Sequence, residues 1–212
     1  MADTDGARML GVADRLAPSE RGARGRRRSL FGLAGPPGSG KSTVAARLAG
    51  ALGSVVVPMD GYHLDNDELE RLGLSTVKGA PETFDATGFV RLVERLTRGA
   101  GPISVPSFDR VADCTVDAAI TVAADDHIVI VEGNYLLLDR APWTALADLF
   151  DCTGYIVVED ATRIDRLVGR HVRHGRTVED AREFVGRSDE ANAAVIAATR
   201  SRADVLIDPS RP

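Results

Sequence analysis

Residues 35–42 read Gly35-Pro36-Pro37-Gly38-Ser39-Gly40-Lys41-Ser42, which fits the pattern G-x-x-x-x-G-K-[ST]. Glycines let the backbone curl until successive N–H groups point at one anion. A lysine at this position adds a positive charge near β- and γ-phosphates, and the following hydroxyl is a Mg²⁺ ligand. The flanks support the reading. Ser29-Leu30-Phe31-Gly32-Leu33-Ala34 is a short apolar run suited to a buried strand. Beyond the octet, Val44, Leu48 and Leu52 recur every four residues, as on one helix face, and Gly53 follows as the expected helix stop. A helix starting at the lysine aims its positive end at the same phosphates. Contacts to a nucleoside triphosphate are therefore expected from Gly35, Pro36, Pro37, Gly38, Ser39, Gly40, Lys41, Ser42 and Thr43.

Outward from this stretch, strands and helices alternate. Val55–Met59 reads as a second strand, Phe89, Leu92, Val93 and Leu96 as a helical stripe closed by Gly99, and Ile103–Val105 as a short strand before Pro106. Ile128–Val131 is wholly apolar, as a central parallel strand should be, and Tyr155–Val158 repeats the type. Residues 161–171 and 178–198 are helical by pattern, and Val205–Ile207 is a last short strand. The expectation is an α/β fold of three layers, with a mainly parallel five-stranded sheet flanked by helices. Right-handed crossovers then bring the strand ends and the phosphate loop to one edge. Residues 29–212 form this domain. Residues 1–28 read as peripheral: a short amphipathic helix over Met9–Leu16, then a Gly/Arg-rich linker whose Arg24, Arg26, Arg27 and Arg28 are expected to be solvated.

Composition narrows the function classes. The 212 residues carry a formal charge of −5, so net charge does not suggest a nucleic-acid partner. No apolar run approaches membrane-spanning length, and no signal peptide is evident at the start. The two cysteines, Cys114 and Cys152, have no metal-ligand spacing, so a reducing, cytoplasmic setting is expected and zinc is not.

Several residues stand where chemistry is done in such a fold. Asp60 follows the second strand directly, and transfer of a phosphoryl group to an alcohol needs a group there to orient the hydroxyl and take its proton. The alternative is an aspartate that only caps the Asp60-Gly61 turn. Glu132 ends the most apolar strand, where such enzymes hold Mg²⁺ directly or through water; the alternative is a surface turn acid. Lys78-Gly79-Ala80-Pro81-Glu82-Thr83-Phe84-Asp85 is a rigid turn with a cation and two acids, either an ordered loop or a substrate clamp. Phe108-Asp109-Arg110 follows another strand end, and Arg110 is suited to a phosphate or a substrate carboxylate. Arg163, Arg166, Arg170, Arg173 and Arg176, with His171 and His174, crowd one helix and the turn after it. Arg166 and Arg170 share a face, and their repulsion is relieved when an anion arrives, as in a lid closing over ATP. The other reading is a solvated face paired with nearby acids. Trp143, after Pro142, is expected in the core.

With these residues in hand, the chain resembles the phosphoribulokinase/uridine kinase/pantothenate kinase group of P-loop kinases over residues 29–208. The likeness is carried by Gly35–Ser42, Asp60-Gly61-Tyr62-His63, Lys78–Asp85, Val131-Glu132-Gly133-Asn134 and His174-Gly175-Arg176. Within the group it is most similar to small bacterial kinases labelled nucleoside kinase-like or fructose-transport-system kinase. Asp60–Asp85 and Thr199–Ile207, with Asn192 upstream, also resemble type I pantothenate kinases. The resemblance implies ATP and Mg²⁺, with Asp60 as base, Lys41 and the loop on ATP, Ser42 and Glu132 at the metal, and Arg166, Arg170 and Arg176 as lid. It makes Tyr62, His63, Lys78, Asp85, Arg110 and Asn134 candidates for the acceptor pocket. A small-molecule acceptor follows, a sugar or nucleoside first and pantothenate second, and a homodimer is a candidate assembly. The departures are specific. Aromatics make up 5%, too few for the aromatic-rich pocket of pantothenate kinases, and Phe108-Asp109-Arg110 stands where those enzymes usually have Tyr-Ser-His. A nucleotide-dependent switch without a metabolite acceptor is the rival from another class.

Overall fold

The structure, a computed structural model, describes residues 28–99 and 101–210. Five parallel strands form its centre: β1 (Ser29–Ala34), β2 (Val55–Pro58), β5 (Ile128–Gly133), β6 (Cys152–Ile156) and β7 (Val205–Ile207), in the order β2-β5-β1-β6-β7. Strands buried on both faces must be apolar throughout, and alternation sends neighbouring residues to opposite sides. Leu30, Val129 and Val131 join one core cluster with Phe89, Leu92, Val93 and Leu96 of helix α3 (Ala86–Arg98) and with Trp143 and Leu146. Phe31, Leu33 and Ile130 join the other with Val44, Ala45 and Leu48 of α1 (Lys41–Leu52). Each such large side chain taken fully from water contributes roughly 1.5–3 kcal/mol before entropy is counted. The three-layer expectation holds, Trp143 is core, and α1 and α3 stop at Gly53 and Gly99.

The register sets the geometry of the functional edge. Along β1 and β5, Leu33 pairs with Glu132 and Ala34 with Gly133, while Pro58 of β2 also pairs with Glu132. Glu132 thus lies between the two strand ends that lead to Gly35 and to Asp60. Between β2 and α3 the chain forms α2 (Asn66–Arg71) and three short 3₁₀ turns, Met59–Tyr62, Ser75–Val77 and Pro81–Thr83. After β6 come α4 (Asp160–Arg173), α5 (Val178–Phe184) and α6 (Glu190–Ala197). The single helix expected over 178–198 is therefore interrupted by a π-helical turn, Val185–Asp189.

Two expectations are corrected. The strand at Ile103–Val105 is not part of the central sheet. It runs on as β3 (Ile103–Asp109) and pairs antiparallel with β4 (Cys114–Val122), with an irregularity between Val105 and Ser107, around Pro106. Arg28 is not a solvated lead-in: it is buried, and its guanidinium donates to the carbonyls of Gly99, Gly101, Ala123 and Asp126 at 2.8–3.1 Å. Four backbone acceptors replace its water, tying the start of β1 to the segments around the hairpin's base. The helix expected within residues 1–28 lies outside the described residues.

Candidate active site

The phosphate loop spans the gap between β1 and α1. Gly38 has φ +77°, and a Cβ there would lie 2.5 Å from the Arg163 carbonyl oxygen, so a side chain is excluded both by backbone conformation and by contact. Helix α1 begins at Lys41 with no acidic residue in its first turn, so the positive end of its dipole is left for an anion. Lys41 Nζ donates to the Pro36 carbonyl at 3.3 Å. Burial pushes its ammonium below the ordinary lysine value, with Glu132 and Asp60 opposing the shift. The Ser39 hydroxyl is fully buried and has no hydrogen-bond partner among the described residues.

Ser42 and Glu132 meet. The Ser42 hydroxyl donates to Glu132 Oε1 at 3.0 Å across 90 residues of sequence. Glu132 is 6% exposed, and burial pushes its carboxyl above the ordinary value against the pull of Lys41. A hydroxyl and a nearly dry carboxylate beside a phosphate loop are the oxygen donors that Mg²⁺ prefers, so these residues fit the ion.

Asp60 lies in a 3₁₀ turn, Met59–Tyr62, directly after β2. Its carboxylate accepts from Arg110 Nη2. A Cβ on Gly61 would lie 2.4 Å from the Pro106 carbonyl oxygen, so only glycine lets the hairpin backbone approach this turn. His63 donates from Nδ1 to the Asp60 carbonyl at 2.8 Å, and its ring lies between Phe84 (4.1 Å) and Phe108 (4.7 Å). Burial pushes its imidazole below the ordinary value, favouring the neutral ring. Lys78 donates to Asn66 Oδ1 and Asp113 Oδ2, both at 2.8 Å, and lies 5.6 Å from the centre of the Phe108 ring. Tyr62 packs edge-on against Phe89, and burial raises its phenol. Asn134 follows β5 directly and is half-buried. Asp85 has a structural occupation that its position in the motif did not reveal: it caps α3, accepting from Gly88 N at 2.8 Å.

The arginine-rich helix divides. Arg166 reaches over the phosphate loop, 3.4 Å from the carbonyls of both Gly38 and Ser39. Arg170 lies 4.0 Å from Asp189, and burial lowers its guanidinium from the ordinary value, with the Arg110 charge adding to the effect. Arg176 stacks on Phe184 at 4.2 Å. Arg163, grouped with them by sequence, is buried and bound at both ends, to Asp160 and in a forked pair to Glu190. It fixes helices to one another. Sequence reasoning missed Asp113, Asn66 and Asp189, the partners that hold Lys78, His171 and Arg170. Each lies in a loop, a helix start or a π turn, and no motif marks it.

Comparison with known proteins agrees with this geometry. The sequence model of the phosphoribulokinase/uridine kinase family matches residues 30–211. A Schizosaccharomyces pombe protein provisionally named uridine kinase C227.14 is 38% identical over 87% of this chain and 84% of its own length. The pantothenate kinase of Leifsonia xyli is 35% identical, but over 60% of this chain and only 42% of its own length. The crystal structure of a Silicibacter sp. TM1040 protein, provisionally named a fructose transport system kinase, superposes with a TM-score of 0.87 at 40% identity, over 97% of this chain and all of the other. Among the described residues no helix is long and apolar enough to cross a membrane. The chain belongs to the phosphoribulokinase/uridine kinase family, and it is an ATP-dependent phosphotransferase with a hydroxyl acceptor.

Proposed function

We propose that the chain transfers the γ-phosphoryl group of ATP to a hydroxyl of a small metabolite of sugar or nucleoside size, with Asp60 as proton acceptor. One observation carries the reading: Glu132 pairs with both β1 and β2, accepting from Ser42, while Asp60 lies in the turn directly after β2. The phosphate loop and a carboxylate are thereby neighbours at one edge, the juxtaposition that phosphoryl transfer needs. The acceptor oxygen bonds to phosphorus, the bond from the γ-phosphorus to the β,γ-bridging oxygen breaks, ADP leaves with the electron pair, and Asp60 takes the hydroxyl proton. Lys41 and the loop N–H groups orient the phosphates, and Arg166 and Arg170 face the charge that spreads over the transferring group. Ser42 and Glu132 would hold Mg²⁺, which when bound offsets phosphate charge. Tyr62, His63, Lys78, Arg110 and Asn134 line the acceptor side, in a cytoplasmic enzyme.

Measuring Mg²⁺- and ATP-dependent ADP release against sugars, sugar phosphates, nucleosides and hydroxy acids tests the proposal, with Asp60→Asn as control. Acceptor-stimulated release that disappears in the control is expected. Release from the control equal to that of the parent removes Asp60 as base. ATP binding without stimulation by any acceptor moves the reading to a nucleotide-dependent switch.

A further inference from the structure

The acceptor end of the cleft contains a guanidinium whose present partner conflicts with the proposed reaction. Arg110 occupies the turn of the β3–β4 hairpin. The turn's backbone is fixed from several sides. Asp109 Oδ1 accepts from the N–H groups of Val111 (2.8 Å) and Ala112 (3.0 Å). Asp113 is tied to Lys78 and Asn66. The middle of β3, at Pro106, is pressed against Gly61. The Arg110 side chain, by contrast, is 47% exposed, and its described hydrogen bond is to Asp60 Oδ2. A fixed backbone with a half-exposed long side chain allows the guanidinium to be re-aimed without moving the hairpin.

Asp60 Oδ2 accepts from a guanidinium where the reaction needs it to accept from a hydroxyl. For the acceptor to engage that oxygen, Arg110 has to yield it. The other cations of the cleft have uses already: Lys41 and Arg166 lie on the phosphate loop, Arg170 faces Asp189, and Lys78 is held by Asp113 and Asn66. Arg110 is the one placed to pair with something arriving from the acceptor side. A guanidinium matches a carboxylate or a phosphate in forked geometry, and such charge-assisted bonds are about twice as strong as neutral ones. A neutral sugar or nucleoside offers it no comparable partner.

We propose that the acceptor carries, besides the hydroxyl to be phosphorylated, an anionic group, either a carboxylate or a phosphate monoester, and that Arg110 passes from Asp60 to that group as the acceptor binds. This rests on the kinase reading above and narrows it to hydroxy acids and phosphorylated sugars. Arg110 then determines specificity and also releases the base.

The test is ADP release at saturating Mg·ATP with matched acceptor pairs: glycerate and glycerol, pantothenate and panthenol, fructose 6-phosphate and fructose, ribulose 5-phosphate and ribulose. The expected result is stimulation at least ten-fold greater for the anionic member of one pair, and that pair tells carboxylate from phosphate. Arg110→Gln should then lower kcat/KM for that acceptor about 10- to 100-fold, mostly through KM, by loss of one charge-assisted contact. It should leave the KM for ATP near that of the parent and should not lower the rate with the neutral partner, for which loss of the guanidinium only frees Asp60, and Arg110→Lys should recover part of the loss with the anionic acceptor. Equal use of both members of a pair, or an Arg110→Gln loss that falls equally on both, overturns the inference and leaves the kinase reading standing. No stimulation by any acceptor overturns both.

Discussion

The two ends of the cleft are built differently. The phosphate end is made from the sheet itself: β1 and β5, buried on both faces, run directly into the loop and into Glu132, and α1 starts where the loop stops. Ser39 and Glu132 are buried there, and the backbone leaves no space for a side chain at Gly38. The acceptor end is assembled from a 3₁₀ turn, an irregular loop and the β3–β4 arm. These are joined by side-chain pairs in which one partner is half-exposed and the other partly buried: Arg110–Asp60, and Asp113 with Lys78. A scaffold that fixes the phosphates rigidly while holding the acceptor with replaceable pairs lets one fold serve different acceptors.

The largest expected effects separate the two ends by what they abolish. Asp60→Asn removes the proton acceptor and should cost about 10²–10⁴ in kcat while nucleotide affinity stays near normal. Lys41→Ala should cost about 10²–10³ and weaken nucleotide binding as well, because its charge serves bound phosphate and transition state alike. Nucleotide titration beside steady-state kinetics checks both. If Asp60→Asn loses ATP affinity as badly as Lys41→Ala, the two ends are not independent.

A glycine at each end gives the next contrast. In Gly38→Ala the new Cβ meets the Arg163 carbonyl oxygen, and in Gly61→Ala it meets the Pro106 carbonyl oxygen. Each should cost about 1–3 kcal/mol of stability by denaturant unfolding, since backbone rather than a flexible side chain has to move. The functional losses should differ. Gly38→Ala should impair nucleotide binding, and Gly61→Ala, by pushing the hairpin off the Asp60 turn, should raise the acceptor KM and spare ATP. Identical kinetic signatures would argue against the division.

The same division decided what could be read from sequence. The octet, the apolar strands and the glycine stops of α1 and α3 are local signals, and residues buried on both faces of a parallel strand leave a continuous apolar run. Glu132 and Asp60 were legible as acids at strand ends, and their closeness followed from the fold. The arm was not legible. Cys114–Val122 is mostly exposed, contains Ala118 at φ +51°, and carries neither a clean alternation nor an apolar run. Arg163 looked like one more lid arginine because its partner Glu190 is 27 residues away. Arg28 looked solvated because the four carbonyls that receive it belong to segments 71–98 residues distant. Ion pairs and caps formed between distant segments leave no periodic trace.

Asp85 sharpens the comparison at smaller amplitude, because the motif makes it a pocket residue and the geometry makes it a helix cap. Asp85→Ala should cost about 1 kcal/mol, a drop in Tm of roughly 2–4 °C, while Asp85→Asn, which also caps, should cost little. If Asp85→Asn melts like the parent but raises the acceptor KM several-fold, the carboxylate serves the acceptor as well as the helix. An unchanged KM confines it to the cap.

The smallest effect concerns His63, the aromatic hinge of the acceptor end. Burial is the largest influence on its imidazole and lowers its proton affinity; the charges of Lys78 and Arg110 act the same way, while Asp60 and the bond to the Asp60 carbonyl oppose them. Because the folded-state value lies below the ordinary 6.5, the folded protein binds fewer protons here than the unfolded chain. His63 therefore contributes stability that is complete above pH 6.5 and is lost as pH falls through the lowered value. Thermal melts between about pH 7.5 and 5 should show Tm declining more steeply for the parent than for His63→Gln, which cannot titrate. Parallel Tm profiles for parent and variant would show that the ring's burial between Phe84 and Phe108 costs the protonated form nothing, and would make the acceptor end more open to water than its packing indicates.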